Sequence, residues 1–311
     1  MKKKKRILVI MGGTSRERAV SLESGKACIR AIKNLGYKVI TFDPLIKSFN
    51  EIDPKKIDII FNALHGKDGE DGIAQTYFEY LGIPYTHSGV ISSMNAMDKV
   101  ISKKIFFKNK ILSPQYFFLN KNKFSNKLLM KKIIKGRLKY PIVVKPTCEG
   151  SSIGVRICKN FMSLIKNTKI LFINYDNLIF EQFIGGQEIQ AAVINNKAIG
   201  AIELKPKRKF YDYKAKYLKS SKTEHIMPAN LNKKKYNEVL NISLKTHKAL
   251  KCSGVTRSDF KFFKNKFYLL EINTQPGMTN LSLVPEISKY KGISFKGLVK
   301  KIISNAKINK Y

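Results

Sequence analysis

Two carboxylates and a carboxamide near the end of the chain are residue types that bind magnesium. They lie in GVTRSDFKFFKNKFYLLEINTQPG, a stretch that predicts a β-hairpin. With the turn centred on Asn265, paired positions sum to a constant even number, and Asp259 faces Glu271. Arg257 faces Asn273 in the same register, on the same surface of the hairpin. The other surface is then apolar and carries Phe260, Phe262, Tyr268, Leu270 and Ile272.

Hard oxygen ligands on one strand face suit Mg²⁺, which keeps several waters and is usually completed by substrate phosphates. The hairpin contains no histidine or cysteine, so a zinc site is not indicated. A polar face that is simply solvated is the alternative interpretation, because hairpins often have one such face.

A loop of small residues follows a predicted strand in PIVVKPTCEGSSIGVRI. Lys145 ends the strand, and Ser151 and Ser152 lie in the loop, which returns into a second strand. Backbone N–H groups of such a loop can surround phosphate oxygens while the lysine supplies a point charge. The residue order differs from that of a Walker A loop. An ordinary hairpin turn is the alternative interpretation.

Two polar groups follow strands at the start of the chain. Glu17, in GGTSRERAVS, lies at a predicted helix start, where it either complements the helix dipole or holds a substrate ammonium. The two glycines do not form the G-x-G-x-x-G pattern of a dinucleotide site. His65, in ALHGKDGEDG, ends another strand, at the edge where open α/β sheets bind ligands. A surface histidine without a function is the alternative.

A polar stretch over about residues 205–230 contains YDYKAKYL, which brings Lys216 and Tyr217 together. A loop of this length is typical of a lid that closes over an anionic substrate, and a flexible lysine-rich loop is the alternative. Farther upstream, NLIFEQFIGGQE places Glu181 and Glu188 around a glycine turn. These two carboxylates are either surface charges or contacts to the base and ribose of a nucleotide.

The elements that would position these groups fall into three ranges. Up to about residue 100, the order of strands and helices predicts an α/β unit with a parallel sheet, whose first helix ends at Gly36. A helix from Ser93 to Asn109 leads to alternating strands and two lysine-rich helices, which predict an α+β unit. From residue 186, two hairpins, a helix from Lys233 to Leu250 and a final helix complete the pattern.

The chain of 311 residues carries a formal net charge of +37. Such a charge by itself indicates nucleic acid or an anionic membrane surface as a partner. However, only 8 of the 59 basic residues are arginine, and the lysines are scattered without a block of interleaved aromatics. A compositional bias toward lysine explains this pattern better, and it predicts weak, salt-sensitive adhesion. We therefore expect no specific nucleic-acid partner.

The sequence also indicates where the protein works. No run approaches the roughly 20 apolar residues that cross a bilayer, and the lysine-rich start leads into a strand rather than a cleavable leader. The four cysteines are widely spaced and form no C-x-x-C, so neither a disulfide framework nor a zinc site is expected. We expect a cytoplasmic protein with reduced thiols and no membrane insertion.

In chain order, these segments resemble the D-alanine:D-alanine ligases of the ATP-grasp superfamily, from about Ile7 to Leu298. The motifs are GGTSRERAVS, ALHGKDGEDG, MDK, VVKPTCEGSSIGV, YDYKAKYL and LLEINTQPGMTNLSLVP. A collinear set of this kind is more specific than any single motif, and it favours the functional interpretation of each. The resemblance implies a three-domain ATP-grasp fold with α/β and α+β parts. The implied domains are an N-terminal parallel-sheet, Rossmann-like domain (1–100), a central subdomain (101–185) and a C-terminal subdomain (186–311) with a lid at about 205–230.

The reaction that the resemblance implies joins two D-alanines for peptidoglycan. ATP phosphorylates the carboxylate of the first D-alanine, the amine of the second attacks the acyl phosphate, and phosphate leaves. ATP and two Mg²⁺ or Mn²⁺ ions would take part, and the protein would be a homodimer. Another ATP-grasp carboxylate:amine ligase is the nearest alternative.

By matched position, the resemblance assigns a role in ATP binding to Lys99, Lys145, Lys216, Ser151 and Ser152. The adenosine contacts would be Glu181, Gln182, Phe183, Ile184 and Glu188. The metal ligands would be Asp259, Glu271 and Asn273. Three positions depart from the usual family pattern without removing a reacting group, namely Ala19, Cys148 and Gln182.

The resemblance also implies roles around the amino-acid substrates. Glu17 would hold the first ammonium, with His65 near the carboxylate of the same D-alanine. The expected hydrogen-bonded triad around that substrate consists of Glu17, Ser151 and Tyr217. The second D-alanine would contact Ser282 and Leu283, and the oxyanion would be stabilised by Arg257 and the backbone N–H of Gly277. Tyr217 further favours D-alanine over D-lactate as the second substrate.

Overall fold

The computed structural model describes residues 4–206, 223–279 and 281–309 of the chain. The strands in these ranges are β1 Arg6–Ile10, β2 Lys38–Phe42, β3 Ile59–Asn62, β4 Tyr116–Asn120, β5 Ile142–Pro146, β6 Arg156–Cys158, β7 Asn177–Gln182, β8 Gln187–Ile194, β9 Lys197–Lys205, β10 Glu224–Ile226, β11 Val255–Phe263 and β12 Lys266–Asn273. The helices are α1 Arg18–Asn34, α2 Ile73–Tyr80, α3 Val90–Met97, α4 Lys99–Lys108, α5 Asn126–Lys135, α6 Phe161–Asn174, α7 Lys233–Ala249, α8 Leu283–Tyr290 and α9 Phe295–Ser304.

The N-terminal sheet is parallel, as predicted, with the strand order β2-β1-β3. The central strand β1 is almost entirely apolar and buried, which is typical of a parallel strand covered on both faces. Helix α1 reaches Leu35 as its C-cap, and Gly36 follows with φ +85°, a backbone conformation that favours glycine. The loops after β1 and β3 carry Glu17 and His65 at one edge of the sheet.

Two antiparallel sheets follow. The central sheet has the order β4-β7-β5-β6 and buries one apolar face against α5 and α6. The C-terminal sheet has the order β10-β9-β8-β11-β12, and α7 and α8 pack against its strands. The predicted mixture of an α/β part with a parallel sheet and α+β parts is therefore confirmed.

The N-terminal and C-terminal parts of the chain share one hydrophobic core. Ile7 of β1 belongs to the same buried cluster as Ile194 of β8 and Ile302 of α9. Helix α9 packs directly on α1. This packing places the loop after β12 against the carboxyl edge of the parallel sheet, where the candidate site lies. The domain limits at residues 100 and 185 stay predictions.

The predicted helix over residues 93–109 is in fact two helices. Asp98 has extended backbone angles, and its carboxylate accepts hydrogen bonds from the backbone N–H groups of Val100 (2.7 Å) and Ile101 (3.0 Å). Asp98 is therefore the N-cap of α4, which an unbroken helix would not allow. The break places Lys99 at the first position of α4. The predicted final helix is likewise divided into α8 and α9, with Gly292 at φ +71° between them.

The β11–β12 hairpin departs from the predicted register near its turn. Lys264 and Asn265 form a two-residue turn with φ of +45° and +61°, which is typical of a type I′ turn. Phe263 consequently pairs with Lys266, whereas the prediction paired it with Phe267. The type I′ turn is favoured here because its twist matches that of the strands it joins.

A β-bulge restores the predicted register at the polar end of the hairpin. Phe260 pairs with Leu269 but Asp259 pairs with Glu271, so Leu270 is the additional residue in β12. The prediction that Tyr268 and Leu270 share the apolar face is wrong, because the bulge reverses the alternation. The buried side chains of β12 are Phe267, Leu269 and Ile272.

Candidate active site

The polar end of the hairpin brings together the four side chains that the sequence predicted to share a face. The guanidinium of Arg257 binds Asp259 through two parallel hydrogen bonds, Nε to Oδ1 at 2.7 Å and a terminal nitrogen to Oδ2 at 3.0 Å. The Oδ1 atom of Asn273 accepts a hydrogen bond from the backbone N–H of Gln275 at 2.8 Å. Two carboxylates, one amide and one guanidinium therefore converge on the inner surface of the hairpin.

Lys99 connects this hairpin to the loop of small residues. Its Nζ donates to the backbone carbonyl of Glu149 at 2.6 Å and lies 3.5 Å from the Glu271 carboxylate. The side chain is almost fully buried. Because two cavities share Lys99, Glu149 and Glu271 in their walls, this lysine lies where the two cavities meet.

The first cavity lies between the central and C-terminal sheets. Its wall includes the predicted nucleotide contacts Lys145, Ser152, Glu181, Gln182, Phe183, Ile184 and Glu188. Asp259, Glu271 and Lys261 line the same space. We call this space the nucleotide cavity. Lys261 forms an ion pair with Glu188 at 2.8 Å. The sequence reasoning overlooked Lys261, although it shares a strand face with Asp259, two residues away.

Three buried charged side chains lie together beside the nucleotide cavity, and two of them, Lys145 and Glu181, are part of its wall. Glu181 lies between Lys145 (Nζ to Oε2, 2.8 Å) and Lys103 (Nζ to Oε1, 3.1 Å), and all three side chains are nearly inaccessible to solvent. Burial alone would raise the pKa of Glu181, but the two ammonium groups outweigh it and hold the pKa below its ordinary value. Lys103 was not predicted, although it lies one helical turn after Lys99.

The side-chain amide of Gln182 is hydrogen-bonded to the backbone of Lys139. Its amide oxygen accepts from the backbone N–H of Lys139 at 2.8 Å, and its amide nitrogen donates to the Lys139 carbonyl at 2.9 Å. This double hydrogen bond ties the end of β7 to the segment before β5. The departure from the family pattern at this position therefore has a local structural explanation.

The second cavity lies between the loop of small residues, the hairpin and the start of α8. Its wall includes Glu17, Ser151, Arg257, Asn273, Gly277, Ser282 and Leu283. We call it the substrate cavity. Ser151 Oγ donates to Glu17 Oε2 at 2.6 Å, which joins two of the three predicted triad members. Lys216 and Tyr217 lie outside the described residues.

Gly277 and Ser282 face each other across the mouth of the loop after β12. A Cβ atom at Gly277 would lie 2.9 Å from Ser282 Oγ, so this position leaves no room for a side chain. Ser282 Oγ accepts from the backbone N–H of Thr279 at 2.9 Å. The backbone at Gly277 thus stays open to the substrate cavity.

His65 is buried beside the substrate cavity and does not line it. Its Nδ1 lies 3.0 Å from Glu70 Oε1 and its Nε2 lies 3.1 Å from Ser24 Oγ. Glu70 is the member of this group that reaches the cavity wall. Burial raises the pKa of Glu70, the His65 contact opposes that rise, and the nearby Glu17 charge adds to it. Glu70 was not singled out from the sequence, though it lies in the same glycine-rich loop as His65.

Two kinds of feature are absent from the described residues. Within residues 4–206, 223–279 and 281–309, no group of three histidine, cysteine, aspartate or glutamate side chains has the arrangement of a self-sufficient metal site. Among the same residues no helix is long and apolar enough to span a bilayer.

Two family models match the chain, described as D-ala D-ala ligase C-terminus over residues 106–304 and D-ala D-ala ligase N-terminus over residues 42–88. The D-alanine–D-alanine ligase of Pelagibacter ubique is 54% identical over 306 residues, which cover 98% of this chain and 99% of that protein. The corresponding ligase of Geotalea uraniireducens is 41% identical over 98% of this chain and 96% of its own length.

Solved structures show the same fold. The D-alanine–D-alanine ligase from Bacillus anthracis complexed with ATP is 34% identical, with a TM-score of 0.83 and 97% of each chain covered. The VanG D-Ala:D-Ser ligase from Enterococcus faecalis is 27% identical, with a TM-score of 0.84 over 97% of this chain and 99% of that one. Because its sequence matches relatives of this family over nearly its whole length, the chain belongs to the D-alanine–D-alanine ligase family.

Proposed function

We propose that this chain joins two D-alanines to D-alanyl-D-alanine for peptidoglycan precursors, with conversion of ATP to ADP and phosphate. The observation that carries the proposal is the meeting of two cavities at Lys99 and Glu271. A nucleotide in one cavity can present its terminal phosphoryl group to a carboxylate in the other. Family membership supplies the identity of the amino acid.

In the first step, a carboxylate oxygen of the first D-alanine attacks the γ-phosphorus of ATP and ADP leaves. Lys99 and Lys145 offset phosphate charge, and backbone N–H groups of the loop at Ser151 and Ser152 contact the phosphate oxygens. Glu181 to Ile184 and Glu188 contact the adenosine. Glu17, held by Ser151, binds the ammonium of the first D-alanine. We also propose that Lys216 contacts the transferring phosphoryl group and that Tyr217 forms a triad with Glu17 and Ser151; Lys216 and Tyr217 lie outside the described residues.

In the second step, the amine of the second D-alanine attacks the acyl carbon, and phosphate leaves after the amine loses its proton. Arg257 and the backbone N–H of Gly277 stabilise the oxyanion of the tetrahedral intermediate. Ser282 and Leu283 position the second D-alanine at the start of α8.

The hairpin residues fit Mg²⁺ or Mn²⁺. Asp259 and Glu271 face each other across the ladder and Asn273 follows on the same surface, so their oxygens suit a hard cation. We propose that they hold two such ions together with ATP phosphates. When bound, the ions would neutralise phosphate charge during transfer. Arg257 binds both carboxylate oxygens of Asp259, and each oxygen keeps a further lone pair for a cation.

Purified protein with D-alanine and ATP is expected to release ADP only with Mg²⁺ or Mn²⁺ present, because the cations would neutralise the phosphate charge during transfer. Coupled ADP measurement with chelator as control, followed by product identification, tests this. The second substrate is varied among D-alanine, D-serine, D-lactate and L-alanine. Preference for D-lactate or an L-amino acid at neutral pH would contradict the assignment and favour another carboxylate:amine ligase.

We also propose a cytoplasmic homodimer. Supporting the dimer is an apolar patch on two adjacent helices, α2 and α3, formed by Ile73, Tyr77, Tyr80, Ile91 and Met94. Exposed apolar patches on α/β domains often mark protein interfaces. Light scattering of the full chain, compared with Tyr80→Lys, tests it: a wild-type monomer at micromolar concentration would contradict the proposal. We also propose the domain ranges 1–100, 101–185 and 186–311.

A further inference from the structure

The loop after β12 carries the proposed oxyanion donor, Gly277, and the N-terminal α/β part of the chain holds this loop at two points. At the first point, the side chain of Gln275 donates to the backbone carbonyl of Leu64 and accepts from Asn62 Nδ2 at 2.8 Å. Both Gln275 and Asn62 are buried. The residue two positions before Gly277 is therefore held against the end of β3.

The second point lies immediately after Gly277. The backbone N–H of Met278 donates to Ser24 Oγ at 3.2 Å, across 254 positions of sequence. Ser24 Oγ lies 3.1 Å from His65 Nε2, and His65 Nδ1 lies 3.0 Å from Glu70 Oε1. Ser24 is fully buried, and the other three residues of this hydrogen-bonded series, Met278, His65 and Glu70, are at least nine-tenths buried.

One assignment of donors and acceptors satisfies every member of this series of hydrogen bonds. A backbone N–H only donates, so Ser24 Oγ accepts from Met278 and is free to donate its own proton to His65 Nε2. A neutral imidazole that accepts at Nε2 carries its proton on Nδ1, which then donates to the Glu70 carboxylate. Every member is satisfied in this one direction. This series of hydrogen bonds begins at the loop after β12 and ends at Glu70 in the wall of the substrate cavity.

We infer that Ser24 is a positioning residue for the proposed ligation, which sets the direction of the Gly277 N–H by holding the next peptide group. The inference rests on the proposed function, in which that N–H stabilises the oxyanion. His65 then acts through Ser24. Misplacement of a catalytic group by about 1 Å can lower a rate about 100-fold, so an anchor of this kind affects turnover more than binding.

The test compares Ser24→Ala with Ser21→Ala in the full chain. Ser21 is the matched control, because it lies one turn earlier on α1, is equally buried, and binds the backbone groups of Gly12 and Ala63 only. We expect Ser24→Ala to lower kcat about 10- to 100-fold, with KM for ATP and D-alanine changed less than about threefold. Ser21→Ala should keep wild-type kcat. Equal kcat in the two variants, or a change confined to KM, would overturn the inference.

A second readout does not depend on substrate. Hydrogen exchange followed by mass spectrometry on the peptide covering residues 274–282 should show faster exchange in Ser24→Ala than in wild type or Ser21→Ala, because the Met278 N–H loses its acceptor. Unchanged exchange would overturn the anchor itself. If the wild-type protein fails to ligate D-alanine while the exchange result holds, the proposed function fails and the anchor does not.

Discussion

Replacing Arg257 by alanine is expected to lower kcat by about 10²- to 10³-fold, with a much smaller change in KM for ATP. Arg257 is on the face of β11 that lines the substrate cavity, and its guanidinium is held in a defined orientation by Asp259. Loss of one preorganised oxyanion donor acts on the transition state more than on the bound substrates, so the effect falls on kcat.

The control for this prediction is Arg6→Ala. Arg6 forms a comparable two-point ion pair with Asp58, but it lies at the start of β1, outside both cavities. It should leave kcat unchanged. Arg257→Lys keeps the charge without the planar fork and should recover only part of the rate. A kcat for Arg257→Ala close to that of Arg6→Ala would contradict the role of Arg257.

Replacing Glu181 by leucine is expected to reduce the free energy of unfolding by about 3–5 kcal/mol. The substitution leaves the buried ammonium groups of Lys103 and Lys145 without the carboxylate between them. Because the pKa of Glu181 is lowered in the folded protein, its contribution is complete above the unfolded value of about 4.3 and is lost as pH falls through the folded value. Denaturant unfolding at neutral pH measures the loss.

Glu188→Leu is the matched control, because among the described residues Glu188 pairs with one lysine, and its ion pair is more exposed than those of Glu181. Its loss should be clearly smaller. The double variant Glu181→Leu/Lys103→Leu should recover part of the stability, since it leaves one unpaired buried ammonium, that of Lys145, instead of two. Equal destabilisation by Glu181→Leu and Glu188→Leu would contradict the account of the buried triad.

In the β11–β12 hairpin, the sequence pattern predicted the pairing at the polar end but not the turn or the bulge. The alternation of side chains in β11 and β12 predicted that Asp259 faces Glu271, and this pairing is confirmed. The predicted turn is wrong, because a type I′ turn at Lys264 and Asn265 changes the register by one residue. The bulge at Leu270 cancels that change before the polar end is reached. A bulge leaves no clear mark in the alternation of so short a strand.

The capping at Asp98 was also open to sequence reasoning and was overlooked. An aspartate before a run of helix-forming residues is a common N-cap, and here it divides the predicted helix and places Lys99 at the start of α4. Lys103 follows on the same helix face, but nothing in its spacing reveals that it meets Glu181, because that contact depends on how α4 packs against β7.

By itself, the sequence determined the features that depend on neighbours along the chain. These are the parallel N-terminal sheet, the shared face of the hairpin and the small-residue loop after Lys145. Only the tertiary structure decided the contacts between distant segments, such as Ser151 with Glu17 and Met278 with Ser24. The physical reason is that periodicity and turn chemistry act over a few residues, whereas these hydrogen bonds form only after the shared core has packed β1, β8 and α9 together.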